Sequence, residues 1–543
     1  MEFVSYGSFT PKGDIEKRLL LSDSRMHSER YDPEAFLTQS FSDNADWPGD
    51  HEGRLLLALV MLSRALGKKS ENIEILWQKI SMYMNDDGYM GPKIDENNIN
   101  EQSLSGNSWL MRGLCEWYEW EKREDVYAAI KKMAEGLFLK TLGKYRQYPM
   151  EKHQRLQGAG AEAGSLTGES SCGWLPSTDI GCAFIMTDGV SHAYRILKTD
   201  ALYNLLTEMI EMFSSADLSG CAFQTHASLS ATRGILRAYM ESGNEKWLKE
   251  AEKQFAYYLE NGMTVNYAND NWYTRPEWTE PCAIVDSLIL AADLWRVTGK
   301  KAYLDNAYLI YYNAITRSQR PNGGFGCDNC LGAYEKTLLN RSYEAWWCCT
   351  MRGGDGLANA SRMICAVKDD VIHIPFYHEG EVKANGLSFK IETHFPGSGK
   401  VNIGILESDG REHTLAFFKP AFADAFSVNG NEALKEENGF VFIRKTFAEG
   451  ESIVLEMSFG VKTADASAPT FPGAKIILYG AVMLGTDARN GETALKDVGA
   501  LTLKDEKTAA FEDTCGRLYL PLGSLTYTDE KTVCESKIQA MFV

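Results

Sequence analysis

A short turn keeps returning between helical runs in the first two-thirds of this 543-residue chain, and it limits the fold more than any other feature. Between residues 45 and 365, apolar side chains recur every three or four positions in 55–65, 109–120, 183–196, 228–240 and 283–297. That spacing lines one face of a helix. Three of these runs end alike, in Lys198-Thr199-Asp200, Ser242-Gly243-Asn244 and Thr298-Gly299-Lys300. Each turn leads into a second helical run that carries Tyr203, Trp247 or Tyr303. Glycine suits the left-handed cap that closes a helix. The turns return at a spacing of roughly 50 residues, the mark of repeated helical hairpins. Enough hairpins are present to close into an (α/α)6 barrel; an open helical solenoid is the plainer outcome of the same pattern. One stretch breaks it. Residues 158–173 are rich in Gly and Ser and poor in apolar side chains, which reads as a surface loop, or more sharply as a lid over a pocket.

After Cys365 the period changes. Short runs at 371–376, 387–393, 400–405, 414–418, 440–445 and 452–457, several of alternating polarity, are separated by Gly, Asn, Asp and Pro. This is the pattern of an antiparallel β-sandwich. The expected fold class is therefore α+β and multidomain. An N-terminal (α/α)6 barrel spans 1–365, and a C-terminal antiparallel β-sandwich spans 366–543, with its last stretch from Ser467 packing back on the barrel.

Charge removes several function classes. The chain has 56 Lys and Arg against 74 Asp and Glu, a net charge of −18. A nucleic-acid binder would usually show a basic surface, and an acidic chain is repelled by anionic membranes. The longest apolar run, 282–295, is interrupted by Asp286 and Asp293 and is too short to span a bilayer. The first 21 residues carry no apolar core of signal-peptide type, so a cytoplasmic location is expected. Twelve cysteines follow no disulfide framework and are expected to be mostly reduced.

Two groups of residues could carry chemistry. The first is Trp346-Trp347-Cys348-Cys349, which gains meaning only with further metal ligands. Glu280-Pro281-Cys282 and Cys327-Asp328-Asn329-Cys330 are the candidates, and either set with Cys348 and Cys349 would give zinc four ligands. Buried free thiols packing as small apolar groups are the alternative. The second group is Trp272-Tyr273-Thr274-Arg275-Pro276-Glu277-Trp278-Thr279-Glu280. Aromatic faces beside two carboxylates suit a sugar site, since carboxylates do the acid/base work of glycoside cleavage. Pro281 fits the first position of a helix, so Glu280 could instead cap that helix or answer its dipole. His226, at a helix start, and Asp50-His51-Glu52-Gly53 and Asp86-Asp87-Gly88-Tyr89, at helix ends, lie where the substrate loops of a toroid converge. No phosphate-binding loop, dinucleotide fingerprint or H-E-x-x-H is present.

At these residues the chain resembles glycoside hydrolase family 127, the β-L-arabinofuranosidase-like cysteine glycosidases. The likeness rests on Glu280-x-Cys282 at a helix start and the later pair Cys348-Cys349. It extends over most of the chain through Asp50-His51-Glu52-Gly53, Asp87-Gly88-Tyr89 and His226-Ala227, and through Thr393-His394-Phe395-Pro396 and Val428-Asn429-Gly430 in the β region. The resemblance implies an (α/α)6 barrel followed by β-sandwich domains. It implies one zinc ion on Glu280, Cys282, Cys348 and Cys349, with Cys348 as the nucleophile of a retaining hydrolase releasing L-arabinofuranose or a related sugar. It implies sugar contacts from His226, which matches the family's histidine; His51, Tyr89, Trp272, Trp278 and Trp347 are added as candidates. It also allows a homodimer.

The chain departs from the family at three places. Trp346 stands where members carry a third cysteine, and Thr350 and Met351 stand where prolines often follow the pair. The position expected for the acid/base glutamate falls near Thr264, which leaves Glu260 and Glu277 as candidates. Two other function classes remain open at this point: a carbohydrate enzyme using paired carboxylates with structural cysteines, and a glycan-binding protein without turnover.

Overall fold

The structure is a computed structural model describing residues 1–34, 47–151, 164–524 and 529–543. Twelve helices account for most of its first two-thirds. They are α1 (Gly13–Met26), α2 (Asp50–Leu66), α3 (Asn72–Tyr83), α4 (Glu101–Glu121), α5 (Glu124–Gly136) and α6 (Met186–Leu197), then α7 (Asp200–Ser214), α8 (Thr225–Ser242), α9 (Glu245–Asn261), α10 (Pro281–Thr298), α11 (Lys301–Leu309) and α12 (Cys349–Arg362). The even-numbered helices pack on one another in sequence order, and α12 returns to α2, so they close a ring. Each odd-numbered helix lies outside, against an inner neighbour. This is the (α/α)6 barrel.

The recurring turns are the hinges of this arrangement. Lys198, Gly243 and Gly299 all adopt the left-handed conformation at the ends of inner helices α6, α8 and α10. Each donates its N–H to the carbonyl four residues back, at 2.9, 2.7 and 2.7 Å. The outer helix starts within two residues. Such a cap satisfies a carbonyl left over at the helix end and reverses the chain in one step.

Small residues let the inner helices approach closely. A Cβ placed on Gly53 of α2 would lie 2.1 Å from the Leu110 nitrogen of α4, and one on Gly234 of α8 would lie 2.5 Å from the Thr187 carbonyl carbon of α6. The inner helices are accordingly buried on nearly every side, whereas the outer ones show a single buried stripe, as in α5 with Val126, Ile130 and Met133.

The β region holds two six-stranded sheets and an eight-stranded one. In one six-stranded sheet Ile403 sits opposite Ile391 and Ile453. All three point inward, while the intervening positions of Lys400–Ser408 are more exposed. That is the alternation read from the sequence. Pairing is antiparallel except where Glu412–Phe418 runs parallel to Val371–Ile374. One feature was not expected. The first residues are strands: Glu2–Phe3 pairs with Ala366–Lys368, and Phe9–Pro11 with Gly380–Ala384, so the chain begins in the sheets. Thr337–Leu339, from the loop before α12, pairs with Lys537–Gln539 near the C-terminus.

Of the Gly- and Ser-rich run at 158–173, residues up to 163 lie outside the described residues; the remainder forms turns and short bridges, with Leu166 paired to Ser177. No described helix is long and apolar enough to cross a membrane.

The α2–α4 contact supplies a test. Gly53→Ala forces a methyl into the backbone of α4, and overpacking of this kind costs about 1–3 kcal/mol. Differential scanning calorimetry is expected to show a clear fall in Tm; an unchanged Tm would mean that the two helices are not so close.

Candidate active site

The N-terminal ends of the inner helices meet at one end of the barrel and enclose a cavity of about 450 Å³. Asp50, His51 and Arg54 come from the start of α2, Gln224 and His226 from the start of α8, and Cys348 and Cys349 from the start of α12. Trp272, Trp278 and Glu280 come from the loop that enters α10. Helix N-termini present unpaired N–H groups and the positive end of the helix dipole, so this end of the barrel favours negative charge.

Three thiols converge there. Cys282 is the second residue of α10 and Cys349 the first of α12. Their sulfurs are 3.5 Å apart, and those of Cys348 and Cys349 are 3.3 Å apart. These separations are far beyond a disulfide bond. They are slightly under the roughly 3.8 Å that tetrahedral geometry sets between sulfurs each bound 2.3 Å from zinc. Arg54 Nη1 points at the Cys282 sulfur from 3.4 Å. Burial opposes ionisation of Cys282. Hydrogen bonds from Cys348 and Cys349 and the charges of Arg54 and His226 outweigh it and hold this thiol well below the usual range. Cys348 and Cys349 are pushed well above it, Cys348 first by its contact with Cys282 and Cys349 first by burial. The three thiols thus titrate as a unit, and a cation in their midst would favour the ionised form of each.

Glu280 belongs to a second group that overlaps the first at Cys282. Its carboxylate, the Cys282 sulfur and a His226 nitrogen all lie within 4.8 Å of one another. Glu280 Oε1 is 3.0 Å from His226 Nδ1, and His226 Nε2 is 3.5 Å from Asp286 Oδ2. Burial lowers the His226 pKa, but Glu280 and the other nearby anions more than offset it and leave it raised. Glu280 is the cap residue of α10, with Pro281 next in the helix, yet its side chain makes no capping bond. Thiolate, imidazole and carboxylate are all donors that a metal such as zinc accepts, and the two groups meet at Cys282. The C-x-x-C pair divides: Cys327 lines the cavity beside Cys349, while the Cys330 sulfur turns toward the Asn269 carbonyl at 3.7 Å.

The walls are aromatic and polar. Trp272 and Trp278 meet edge to face with centroids 5.0 Å apart, and the half-exposed Trp347 lies on the rim. Gln224 Oε1 and Asn271 Nδ2 are buried without a hydrogen-bond partner. An unsatisfied buried polar atom costs about 1–3 kcal/mol, so two at a cavity wall are set to receive a ligand's hydroxyl groups.

His51, His226, Trp272, Trp278, Trp347, Glu280, Cys348 and Cys349 therefore share this cavity, with Cys282 among the sulfurs beneath it. Three other candidates stand elsewhere. Glu277 is exposed and pairs with Arg275 at 2.7 Å. Glu260 is exposed near the end of α9. Tyr89 is fully buried, and its hydroxyl accepts the Ile94 N–H at 2.6 Å, a packing role. Sequence reasoning missed Arg54, Asp179, Gln224 and Asn271. Arg54 was findable, since it lies one helical turn from Asp50 and pairs with it at 2.6 Å.

Residues 72–362 match the family described as the β-L-arabinofuranosidase GH127 catalytic domain, and residues 371–459 match its middle domain. A solved structure described as a GH127 β-arabinofuranosidase has a TM-score of 0.73 at 11% identity, covering 100% of this chain and 97% of its own. One described as a glycoside hydrolase has 0.71 at 13%, over 100% and 97%. A GH127 β-L-arabinofuranosidase from Geobacillus stearothermophilus T6 has 0.70 at 11%, over 98% and 99%. At such identities the likeness is one of fold. No curated protein matches the chain.

The packing of the thiols is testable by alkylation. Cys348 is partly exposed on the cavity, whereas Cys282 and Cys349 are almost fully buried. Brief iodoacetamide treatment of reduced, chelator-treated protein is expected to modify Cys348 well ahead of the other two, as read by peptide mass mapping. Equal labelling of all three would contradict the arrangement.

Proposed function

The chain is a glycoside hydrolase belonging to the GH127 β-L-arabinofuranosidase family, and from that premise we propose that it releases L-arabinofuranose, or a closely related sugar, with retention, through a cysteine nucleophile in a zinc site. One observation carries this reading: the thiols of Cys282, Cys348 and Cys349 meet at the floor of a cavity walled by indoles.

Glu280, Cys282, Cys348 and Cys349 would hold the metal. A bound zinc ion there supplies the positive charge that keeps thiols ionised at neutral pH. In this reading Cys348 is the nucleophile, since it lines the cavity and is the one residue of the three that is not fully buried. Trp272, Trp278 and Trp347 offer faces for the apolar side of the ring. Gln224 Oε1 accepts a hydrogen bond from one sugar hydroxyl, and Asn271 Nδ2 donates to another. His51 and His226 border the same space. Burial keeps His51 below its ordinary pKa, so it is neutral and able to both donate and accept.

In the first half-reaction the Cys348 sulfur attacks the anomeric carbon as the bond to the leaving oxygen breaks, and a carboxylic acid protonates that oxygen. Water, deprotonated by the same group, then displaces the sulfur. Two inversions give net retention. All these groups lie within the unit expected at 1–365, so the sheets serve as its support.

The protein purified under reducing conditions is expected to contain about one zinc per chain. Cys348→Ser should lower turnover of aryl β-L-arabinofuranosides by about 10³-fold or more, with the melting profile of a folded barrel. Near-wild-type turnover in that variant would reject the nucleophile.

A further inference from the structure

A second cavity, of about 460 Å³, opens where the barrel meets the sheets. It is as roomy as the cavity above the thiols, and among the described residues the two share no lining side chain. Asp14 and Arg18 reach it from α1. Tyr311 and Tyr312 reach it from a π-helical turn, Ile310–Ile315, that continues α11. His378 reaches it from the link between strands Val371–Ile374 and Gly380–Ala384. A π-helical turn is an uncommon distortion that is frequent at functional sites, and this one carries two of the rings that line the cavity.

Two buried polar atoms lack a partner here. The Tyr311 hydroxyl and His378 Nε2 have no hydrogen-bond partner among the described residues, although Tyr311 is only 1% exposed and His378 5%. Their rings meet edge to face with centroids 5.0 Å apart. Burying such groups unpaired opposes folding, so both favour a ligand that pairs with them. One belongs to the barrel and the other to the sheets, and a ligand between them would join the two.

The chemistry of the two atoms selects the ligand. Burial raises the Tyr311 pKa above its ordinary value, so the hydroxyl stays protonated and donates. Burial lowers the His378 pKa to about 4, so the imidazole is neutral. A hydrogen bond to the Ala360 backbone engages its other nitrogen, which leaves Nε2 as an acceptor. A carboxylate could accept from Tyr311 but has no proton to offer His378. An ammonium group could donate to His378 but cannot accept from the Tyr311 O–H. A neutral hydroxyl does both.

The rest of the lining agrees. Arg18 Nε is 2.7 Å from Asp14 Oδ2, its Nη1 is 3.2 Å from Gln319 Oε1, and Arg320 pairs with Asp328 at 3.1 Å. Lys17 and Lys507 also line the cavity, as does Glu379, so little net charge remains to hold an ion. Tyr312 and Phe395, edge to face at 5.4 Å, supply an apolar wall. Apolar surface with a few polar groups of fixed direction suits a compact polyol with C–H faces.

We propose that this cavity is a second, non-catalytic site that binds a neutral mono- or disaccharide through hydroxyl contacts to Tyr311 and His378. It stands apart from the reading of the thiol cavity, since no step of hydrolysis passes through it.

Hydrogen–deuterium exchange of the full-length protein, read by mass spectrometry, tests the site. The probes are L-arabinose, D-galactose and cellobiose, with acetate as the charged control. A neutral sugar at about twice its Kd is expected to slow exchange about threefold in peptides spanning 308–320 and 376–395. Tyr311→Phe removes a hydroxyl that has no partner in the free protein, so Tm should not fall. The sugar concentration needed for the same protection should rise about tenfold. The wild-type exchange pattern does not depend on that variant folding. No slowing with any of the three sugars, slowing confined to peptides around Cys282 and Cys348, equal slowing by acetate, or undiminished protection in Tyr311→Phe would each overturn the assignment.

Discussion

The barrel depends on charges buried along its axis. Asp286 of α10 accepts from Arg233 of α8 and Arg352 of α12, each at 2.5 Å, and from the Ser230 hydroxyl at 2.6 Å. Asp188 of α6 is bound by Arg237 of α8 and by Arg112 of α4, the latter at 3.0 Å. Arg352 also pairs with Asp355 one turn along α12. A buried charge without its partner costs about 3–5 kcal/mol, so these pairs leave α4, α6, α8, α10 and α12 one depth and one rotation. Trp109 of α4 joins this lattice to the cavity: Arg54 and Arg352 lie over its ring at 4.2 and 4.6 Å, and His226 stacks on it at 5.7 Å. Once the lattice is satisfied, the helix N-termini are level, and the residues beginning each helix come together.

That levelling explains why the thiols sit where they do. Cys282 and Cys349 belong to the first turns of two neighbouring inner helices. Their N–H groups and dipoles point into the cavity, and Arg54 adds a full positive charge. Desolvation disfavours every thiolate in so buried a place, and Arg54 and His226 offset it at Cys282, while the pKa values of Cys348 and Cys349 stay raised. The same end of the barrel gathers the three thiols and the Glu280 carboxylate where the helix N-termini favour negative charge. The other end carries the complementary residues: Arg195 in the last turn of α6, Arg296 of α10 and Arg362 of α12.

The readable part of the site was the part contiguous in sequence. Glu280-Pro281-Cys282 and Cys348-Cys349 each place ligands within one turn, so their spacing alone suggested a metal. Glu277 misled for the same reason. It stands in an aromatic stretch three residues from Glu280, but Arg275 holds it on the outer surface, and closeness along a loop says nothing of which way a side chain faces. Asp179 and Gln224 were invisible because each comes from a different connection, and nothing local marks an aspartate that will lie against an indole 93 residues further on; Asn271 stood at the start of the aromatic stretch with no role read for it.

The sequence by itself determined the hairpin repeat, the change from a period of three to four residues to a period of two near residue 365, and two separate motifs, a Glu-x-Cys and a Cys-Cys. All of these are local patterns, set by backbone geometry over a few residues. Only the tertiary structure decided that the first strands lie in the sheets, that Tyr89 belongs to the core, and that Asp179 faces the cavity shared with Cys348. Those outcomes follow from closure of the ring, which brings together loop ends that lie far apart in sequence.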